Sequence, residues 1–244
     1  MKRHLPNAVT CLNLLFGCFA LTAIFNGDLT MGAYFVGAAA VADFFDGLLA
    51  RALRVSSAIG KDLDSLADMV SFGVVPGAIL FKLLQVGLLG AGSSWPPSIS
   101  MEWPAVAHYA PFLAFLVTIF SALRLAKFNN DTRQTTSFIG LPTPACTLVV
   151  ASLPLILAHD QFGLKDVILN PWFLVALTAL LSGLLVAELP LFALKFKTLR
   201  WADNRRRFLF LLLAAGLLLA LRATAVPLVV LLYVLLSVPK TAAR

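Results

Sequence analysis

Apolar residues run through this chain in long blocks, and the polar ones inside those blocks recur every three or four positions, the interval of a helix face rather than of a half-buried strand. A helix needs about 17 to 25 residues to cross a bilayer. Blocks of that kind occupy 8–26, 29–51, 66–91, 107–128, 141–159 and 172–194. A further tract from Phe208 to Val238 is broken near Arg222 to Pro227, which predicts either a hairpin of two short helices or one long kinked helix. The pattern therefore predicts an all-α polytopic membrane protein.

The polar positions inside the blocks form stripes. In the first block Asn7, Thr10, Asn13 and Gly17 recur at spacings of three or four, so one face is polar and small and should meet protein rather than lipid. Thr10 and Gly17 also suit ordinary helix packing, whereas Asn7 and Asn13 are better candidates for ligand contact. The stretch Asp43 to Asp68 is denser, with five carboxylates in DFFDGLLARALRVSSAIGKDLDSLAD. Asp43, Asp46, Gly47 and Ala50 fall on one helical face, and so do Gly60, Asp64 and Asp68. Asp62 lies about 200° round the helix from Asp64, at about 100° per residue, and reads as solvated. Charged groups near membrane depth are costly and mark working sites. Four aspartates facing one another from two adjacent helices would repel unless cations sat between them, and hard oxygen ligands suit Mg²⁺ or Mn²⁺.

Composition agrees with the blocks: of 244 residues 60% are hydrophobic and only 13% are charged. The net charge of +7 would suit nucleic acid, but the basic residues cluster at the ends of apolar blocks rather than forming a basic domain, so anionic lipid headgroups are the expected partner and nucleic acid is not. Sixteen of the nineteen Lys and Arg residues fall at the termini or in the second, fourth and sixth connections, leaving Lys82, Lys165 and Arg222. Positive charge stays on the cytoplasmic side. Both termini and the aspartates are therefore expected to face the cytoplasm, and about eight spans fit this alternation better than seven. Cys11, Cys18 and Cys146 lie inside apolar blocks and read as packing residues, and His4, His108 and His159 read as interfacial. The Gly90 to Ala105 connection, with Trp95 and Trp103, reads as an external loop.

After the fourth block, RLAKFNNDTRQTTSFIGLPTPA combines cations, amides and a Gly-Leu-Pro-Thr-Pro turn on the same side as the aspartates. A basic loop is usually only solvated, and Arg133 reads so. Arg124 and Lys127 are still on the helical end of the apolar block and can point back toward the carboxylates.

Written out, the aspartate stretch is D-x-x-D-G-x-x-A-R, eight residues, then G-x-x-x-D-x-x-x-D. This resembles the signature of the CDP-alcohol phosphatidyltransferases, with every position filled: Asp43, Asp46, Gly47, Ala50, Arg51, Gly60, Asp64 and Asp68. The flanking PNAVTCLN, DSLADMVSFGVVPG, RLAKFN and GLPTPA look like the membrane-integral, serine-using members of that family, the phosphatidylserine synthases. The resemblance covers residues 1–194 and implies a six-helix transmembrane core there; residues 195–244 would add a basic loop and a C-terminal hairpin. It also implies a homodimer in the cell inner or plasma membrane that transfers a phosphatidyl group from CDP-diacylglycerol to L-serine and releases CMP. In the family the first three aspartates bind metal, and the last both helps the metal site and activates the incoming hydroxyl.

The residues themselves support nearly the same roles. Two divalent ions would bridge the diphosphate, leaving one carboxylate free as base, and Asp68, deepest from the connecting loop, suits that task. Gly47, Ala50 and Gly60 have little bulk and let a nucleotide lie against the helices. Arg51 can offer its fork of donors to phosphate or lock an aspartate. The serine carboxylate needs a cation, for which Arg124 leads, with Lys127 and Asn129 behind it. A sister enzyme acting on glycerol 3-phosphate, inositol phosphate or another alcohol should carry more clustered cations. A cation transporter built on the same aspartates is disfavoured by the Arg and the paired glycines of the signature.

Overall fold

The structure, a computed structural model, describes residues 4–55, 57–90, 109–130, 137–160, 162–192 and 201–237. Helix α1 (His4–Phe25) is followed by α2 (Leu29–Leu53), and then by one continuous helical rod. That rod comprises α3 (Ala58–Asp68), a π-helical segment (Met69–Val74) and α4 (Val75–Leu89). A 3₁₀ turn (Ala110–Phe115) leads into α5 (Leu116–Asn130). The remaining helices among the described residues are α6 (Thr143–His159), the single turn α7 (Lys165–Ile168), α8 (Pro171–Val186), α9 (Trp201–Leu221) and α10 (Ala225–Ser237). His108, Trp95, Trp103 and Arg133 lie outside the described residues.

Among the described residues five stretches are long and apolar enough to cross a membrane, and α6 and α8 are shorter apolar helices. Their outer faces carry exposed Phe19, Val41, Phe44, Leu212 and Leu219, as lipid contact requires. The architecture is all-α, and among the described residues it carries one three-residue ladder, β1 (Ser137–Ile139) antiparallel to β2 (Pro190–Phe192), with Phe138 opposite Leu191. It forms where the sixth helix was expected to run on to residue 194; the helix stops at Val186, and the chain then leaves as a strand starting at Pro190.

The tract after Arg207 is a hairpin. The rings of Phe210 and Tyr233 meet with centroids 5.6 Å apart, whereas a straight helix would hold residues that far apart in sequence about 35 Å from each other. Arg222, in the left-handed region at φ 51°, makes the reversal, and Pro227 falls in the first turn of α10 where its missing N–H costs nothing.

The third helix begins at Ala58 rather than near residue 66. Its first three turns are amphipathic, carrying Lys61, Asp62, Asp64, Ser65 and Asp68, so an apolar block does not reveal them. Their start is set by Ser57, whose hydroxyl oxygen accepts from Gly60 N at 3.0 Å. Beyond the π segment, α4 is buried on nearly every side, from Val75 through Gln85, and forms the centre of the bundle.

On α1 the buried positions are Pro6, Thr10, Asn13, Gly17, Ala20 and Ile24, one stripe at spacings of three and four. The polar stripe of the sequence thus faces protein. Gly17 is where α1 comes closest to the π segment: a side chain there would collide with Ser71 Oγ and sit 3.2 Å from Ser71 Cα. Of the cysteines, Cys146 is buried in the core, while Cys11 and Cys18 sit on the exposed face of α1 and do not pack inside the bundle.

Candidate active site

Helices α2 and α3 are joined by four residues. Arg54, at φ 51°, closes α2 in the left-handed conformation, Val55 N returns to Ala50 O at 3.1 Å, and Ser57 opens α3. The chain therefore turns back, and α2 and α3 both pack on α1 with the carboxylates between them. Asp43 lies ten residues before Leu53 and Asp68 ten residues after Ala58, so both stand at the same depth; Asp46 and Asp64 are similarly matched about one turn nearer the loop.

Side-chain geometry follows from that register. One carboxylate oxygen each from Asp43, Asp64 and Asp68 lies within 4.8 Å of the others. Asp46 is buried on the same face of α2, and its Oδ2 has no hydrogen-bond partner. Asn13 of α1, fully buried, donates from Nδ2 to Asp68 Oδ1 at 3.1 Å. Three converging anionic oxygens, and a fourth carboxylate with an orphaned oxygen, fit a hard divalent cation such as Mg²⁺ or Mn²⁺. Mutual repulsion at this spacing would otherwise have to be borne by the fold.

Toward the α2–α3 loop the carboxylates open into a cleft of about 250 Å³. Its wall is Pro6, Asn7 and Thr10 from α1, Asp46, Gly47 and Ala50 from α2, Ser57, Gly60, Lys61 and Asp64 from the start of α3, and Val55 between them. A side chain at Gly47 would meet nothing within 4 Å, so the absence of one leaves open space. Gly60 is different: an added Cβ would come within 3.0 Å of Asn7 Oδ1, so its bareness lets α3 approach α1. The Thr10 hydroxyl donates to Pro6 O at 3.1 Å.

Seven of the residues expected at the site, Asn7, Thr10, Asp46, Gly47, Ala50, Gly60 and Asp64, line this cleft, and Asn13, Asp43 and Asp68 adjoin it through the carboxylate cluster. Arg51 is not among the lining residues. It is exposed, and its Nε donates to Gly47 O of its own helix at 2.8 Å, so it neither locks an aspartate nor points into the cleft.

Arg124 is buried at 5% exposure, with Nε unpartnered and its guanidinium carbon 5.4 Å from the centroid of the Phe128 ring. Contacts along α5 establish its depth. Thr118 Oγ1 donates to Gly73 O at 2.9 Å and Asn129 Nδ2 donates to Ser65 Oγ at 2.8 Å, so α5 runs antiparallel to the rod. Interpolation between those contacts sets Arg124 level with Asp68 and Met69. Lys127 is exposed. Asn129 turns to the far flank of α3, where it lines a second pocket of about 390 Å³ with Asp62 and Ser65.

Two features escaped the sequence. Lys61 and Ser57 both line the cleft; the signals available were a serine before an amphipathic run and a lysine one turn ahead of Asp64. The π segment that starts straight after Asp68 had no local signal. It is held from three sides: Ser71 Oγ donates to Asn13 O at 3.0 Å, Thr147 Oγ1 to Phe72 O at 2.8 Å and Thr118 Oγ1 to Gly73 O. Hydroxyls of neighbouring helices thus satisfy backbone groups where the α ladder is interrupted, as a membrane interior demands.

The family model of the CDP-alcohol phosphatidyltransferases matches residues 3–183. Relatives include the CDP-diacylglycerol–serine O-phosphatidyltransferase of Bacillus subtilis, 30% identical over 167 residues that make up 66% of this chain and 84% of that protein. The protein of the same name from Helicobacter pylori is 27% identical over 216 residues, 87% of this chain and 80% of the relative. That of Mycobacterium tuberculosis is 32% identical over 194 residues, 77% of this chain and 60% of the relative.

Proposed function

The chain belongs to the CDP-alcohol phosphatidyltransferase family, and we propose that it transfers the phosphatidyl group of CDP-diacylglycerol to the hydroxyl of L-serine, releasing CMP. The observation that carries this reading is the meeting of Asp43, Asp64 and Asp68 beside a cleft in a membrane-spanning bundle, with Asn13 holding one oxygen of Asp68. These carboxylates and Asp46 would hold divalent metal, which would supply neutralising charge at the donor's diphosphate.

The chain's own residues do the rest. Gly47, Ala50 and Gly60 leave room for the nucleotide along α2 and α3, with Asn7 and Thr10 opposite on α1. Asn13 fixes Oδ1 of Asp68, leaving Oδ2 to accept the serine hydroxyl proton. The serine oxygen then attacks the lipid-bearing phosphorus, the bond from that phosphorus to the bridging oxygen breaks, and CMP departs with the bridging oxygen. Arg124, level with Asp68 and with Nε free, takes the serine carboxylate. Arg124 is the one buried cation among the described residues, and a lone cation at that depth favours a carboxylate acceptor over glycerol 3-phosphate or inositol phosphate.

Residues 1–194 carry this chemistry, and the hairpin beyond them packs on the outside of α6 and β2. The distribution of Lys and Arg supports a cytoplasmic mouth for the cleft and cytoplasmic termini, and the family resemblance supports a homodimer. Purified protein supplied with CDP-diacylglycerol, Mg²⁺ or Mn²⁺ and a panel of alcohols tests the reading by CMP release. Serine should be the productive acceptor; release with glycerol 3-phosphate or inositol phosphate and none with serine would replace it with a sister activity.

A further inference from the structure

Lys61 lines the cleft beside Asp64, yet its ammonium turns to no carboxylate: Nζ donates to the backbone carbonyl of Asn129 on α5 at 3.2 Å. On α3 it stands about 60° round the axis from Asp64, at about 100° per residue. That places it between the face carrying Gly60, Asp64 and Asp68 and the face carrying Asp62 and Ser65. It is also one turn nearer the helix start than Asp64, at the mouth of the cleft rather than its floor. A lysine stem has four rotatable carbons and a compact head, so from this edge the ammonium can serve either flank.

The charge pattern of the cleft makes that choice matter. Among its described lining residues Lys61 is the one cation; Asp46 and Asp64 are anions, and the others are small, apolar, amide or hydroxyl. Arg51 is engaged with its own helix and lies outside the lining, and Arg54 is the exposed cap of α2. A donor with a diphosphate would bring negative charge both to the carboxylate floor, whose residues would hold metal to neutralise it, and to the mouth, where Lys61 is the one cation among the described lining residues. Moving Lys61 would not part the helices, because Asn129 Nδ2 still holds Ser65 Oγ at 2.8 Å.

We propose that Lys61 is a donor-binding residue, exchanging the Asn129 carbonyl for the phosphate of the CMP half of CDP-diacylglycerol and holding that phosphate as CMP leaves. This rests on the phosphatidyl transfer proposed above, but nucleotide binding can be read without any acceptor. The test is CMP binding to the purified full-length protein in the presence of Mn²⁺, by calorimetry, together with steady-state kinetics, for Lys61→Met, Lys61→Gln and Lys61→Arg.

Lys61→Met should weaken CMP binding roughly 10- to 100-fold, the loss typical of a charge-assisted bond, and should raise the KM for donor while leaving that for serine nearly unchanged. Lys61→Gln, which can still donate to the Asn129 carbonyl but carries no charge, should behave like Lys61→Met, and Lys61→Arg should recover most of the affinity. Unchanged CMP affinity in the Met and Gln variants would overturn the proposal. So would a Lys61→Met protein with lowered Tm and both KM values raised together that Lys61→Gln restores, since that is the behaviour of a tether to α5. A wild-type protein that binds CMP but ignores serine would sink the acceptor assignment while the Lys61 comparison still reads.

Discussion

The side-chain amide of Asn13 donates to Oδ1 of Asp68 at 3.1 Å, tying α1 to the last turn of α3. Asn13 is anchored a second time, through its backbone carbonyl, by the hydroxyl of Ser71 at 3.0 Å. An amide N–H can only give and a carboxylate can only receive, so the contact fixes one oxygen of Asp68, which in the proposed reaction leaves the other to act as base. Asn13→Leu should lower kcat about 5- to 30-fold, the equivalent of about 1 to 2 kcal/mol for one bond to a charged group. The fold should tolerate it, since Asn13 Oδ1 has no partner to lose. Asn13→Asp, which brings another carboxylate against Asp68, should be the more damaging change. Wild-type turnover in Asn13→Leu would show that the contact does not orient the base.

The proposed reaction gives the carboxylates different roles. Asp43→Asn, Asp46→Asn and Asp64→Asn should each abolish turnover by weakening metal binding, seen directly as a loss of Mn²⁺ affinity by calorimetry, and raised metal should restore part of the activity of at least one. Treatment with EDTA should silence the wild type reversibly. Asp68→Asn should damage kcat more than donor affinity, because proton acceptance is what it removes. If donor binding collapsed in step with turnover, Asp68 would be chiefly a metal ligand.

Arg124→Ala should raise the KM for serine roughly 10- to 100-fold, as expected for a lost charge-assisted bond of about 1.5 to 3 kcal/mol, with a far smaller effect on the KM for CDP-diacylglycerol. Serine methyl ester should be a poor acceptor for the native enzyme and lose less on mutation. Arg124→Lys should recover only part, since a point charge does not reproduce a two-pronged donor. Equal effects on both substrates would move the carboxylate site elsewhere, and exposed Lys127 would be the next position to change.

The π segment gives a stability prediction. Thr147 is fully buried, and its hydroxyl serves Phe72 O at 2.8 Å as well as Thr143 O in its own helix at 2.9 Å. Thr147→Val keeps the shape and removes the donor, leaving a buried carbonyl short of a partner at a cost of about 1 to 3 kcal/mol. Thermal unfolding in detergent should show a lower Tm for Thr147→Val and near-native behaviour for Thr147→Ser. No difference between the two would mean that the hydroxyl does not hold the segment.

Much of the geometry of the candidate site was legible because it is built from intervals of three and four. The face shared by Asp43, Asp46, Gly47 and Ala50, the face shared by Gly60, Asp64 and Asp68, and the buried stripe Thr10, Asn13 and Gly17 all follow from helical periodicity. Individual side-chain directions were less legible. Arg51, expected at phosphate or at an aspartate, finds a carbonyl one turn back on its own helix, a partner always within reach of a long flexible side chain. Asn129, expected near serine, is drawn across to Ser65 by a hydroxyl from a distant part of the chain.

By itself the sequence determined the helical, membrane-spanning character, the aspartate faces and the family, because these depend on composition and on spacing within single helices. Only the tertiary structure decided that Asp43 and Asp68 stand at one depth, that Arg124 is buried level with them, and that a π turn follows Asp68. Depth is a register between helices, set by the length of the α2–α3 loop and by contacts such as Thr118 with Gly73. The π turn persists because hydroxyls of Thr118 and Thr147, far away in sequence, meet the carbonyls of Gly73 and Phe72. No local pattern encodes such a meeting, since its free energy exists only once the partner helices have packed.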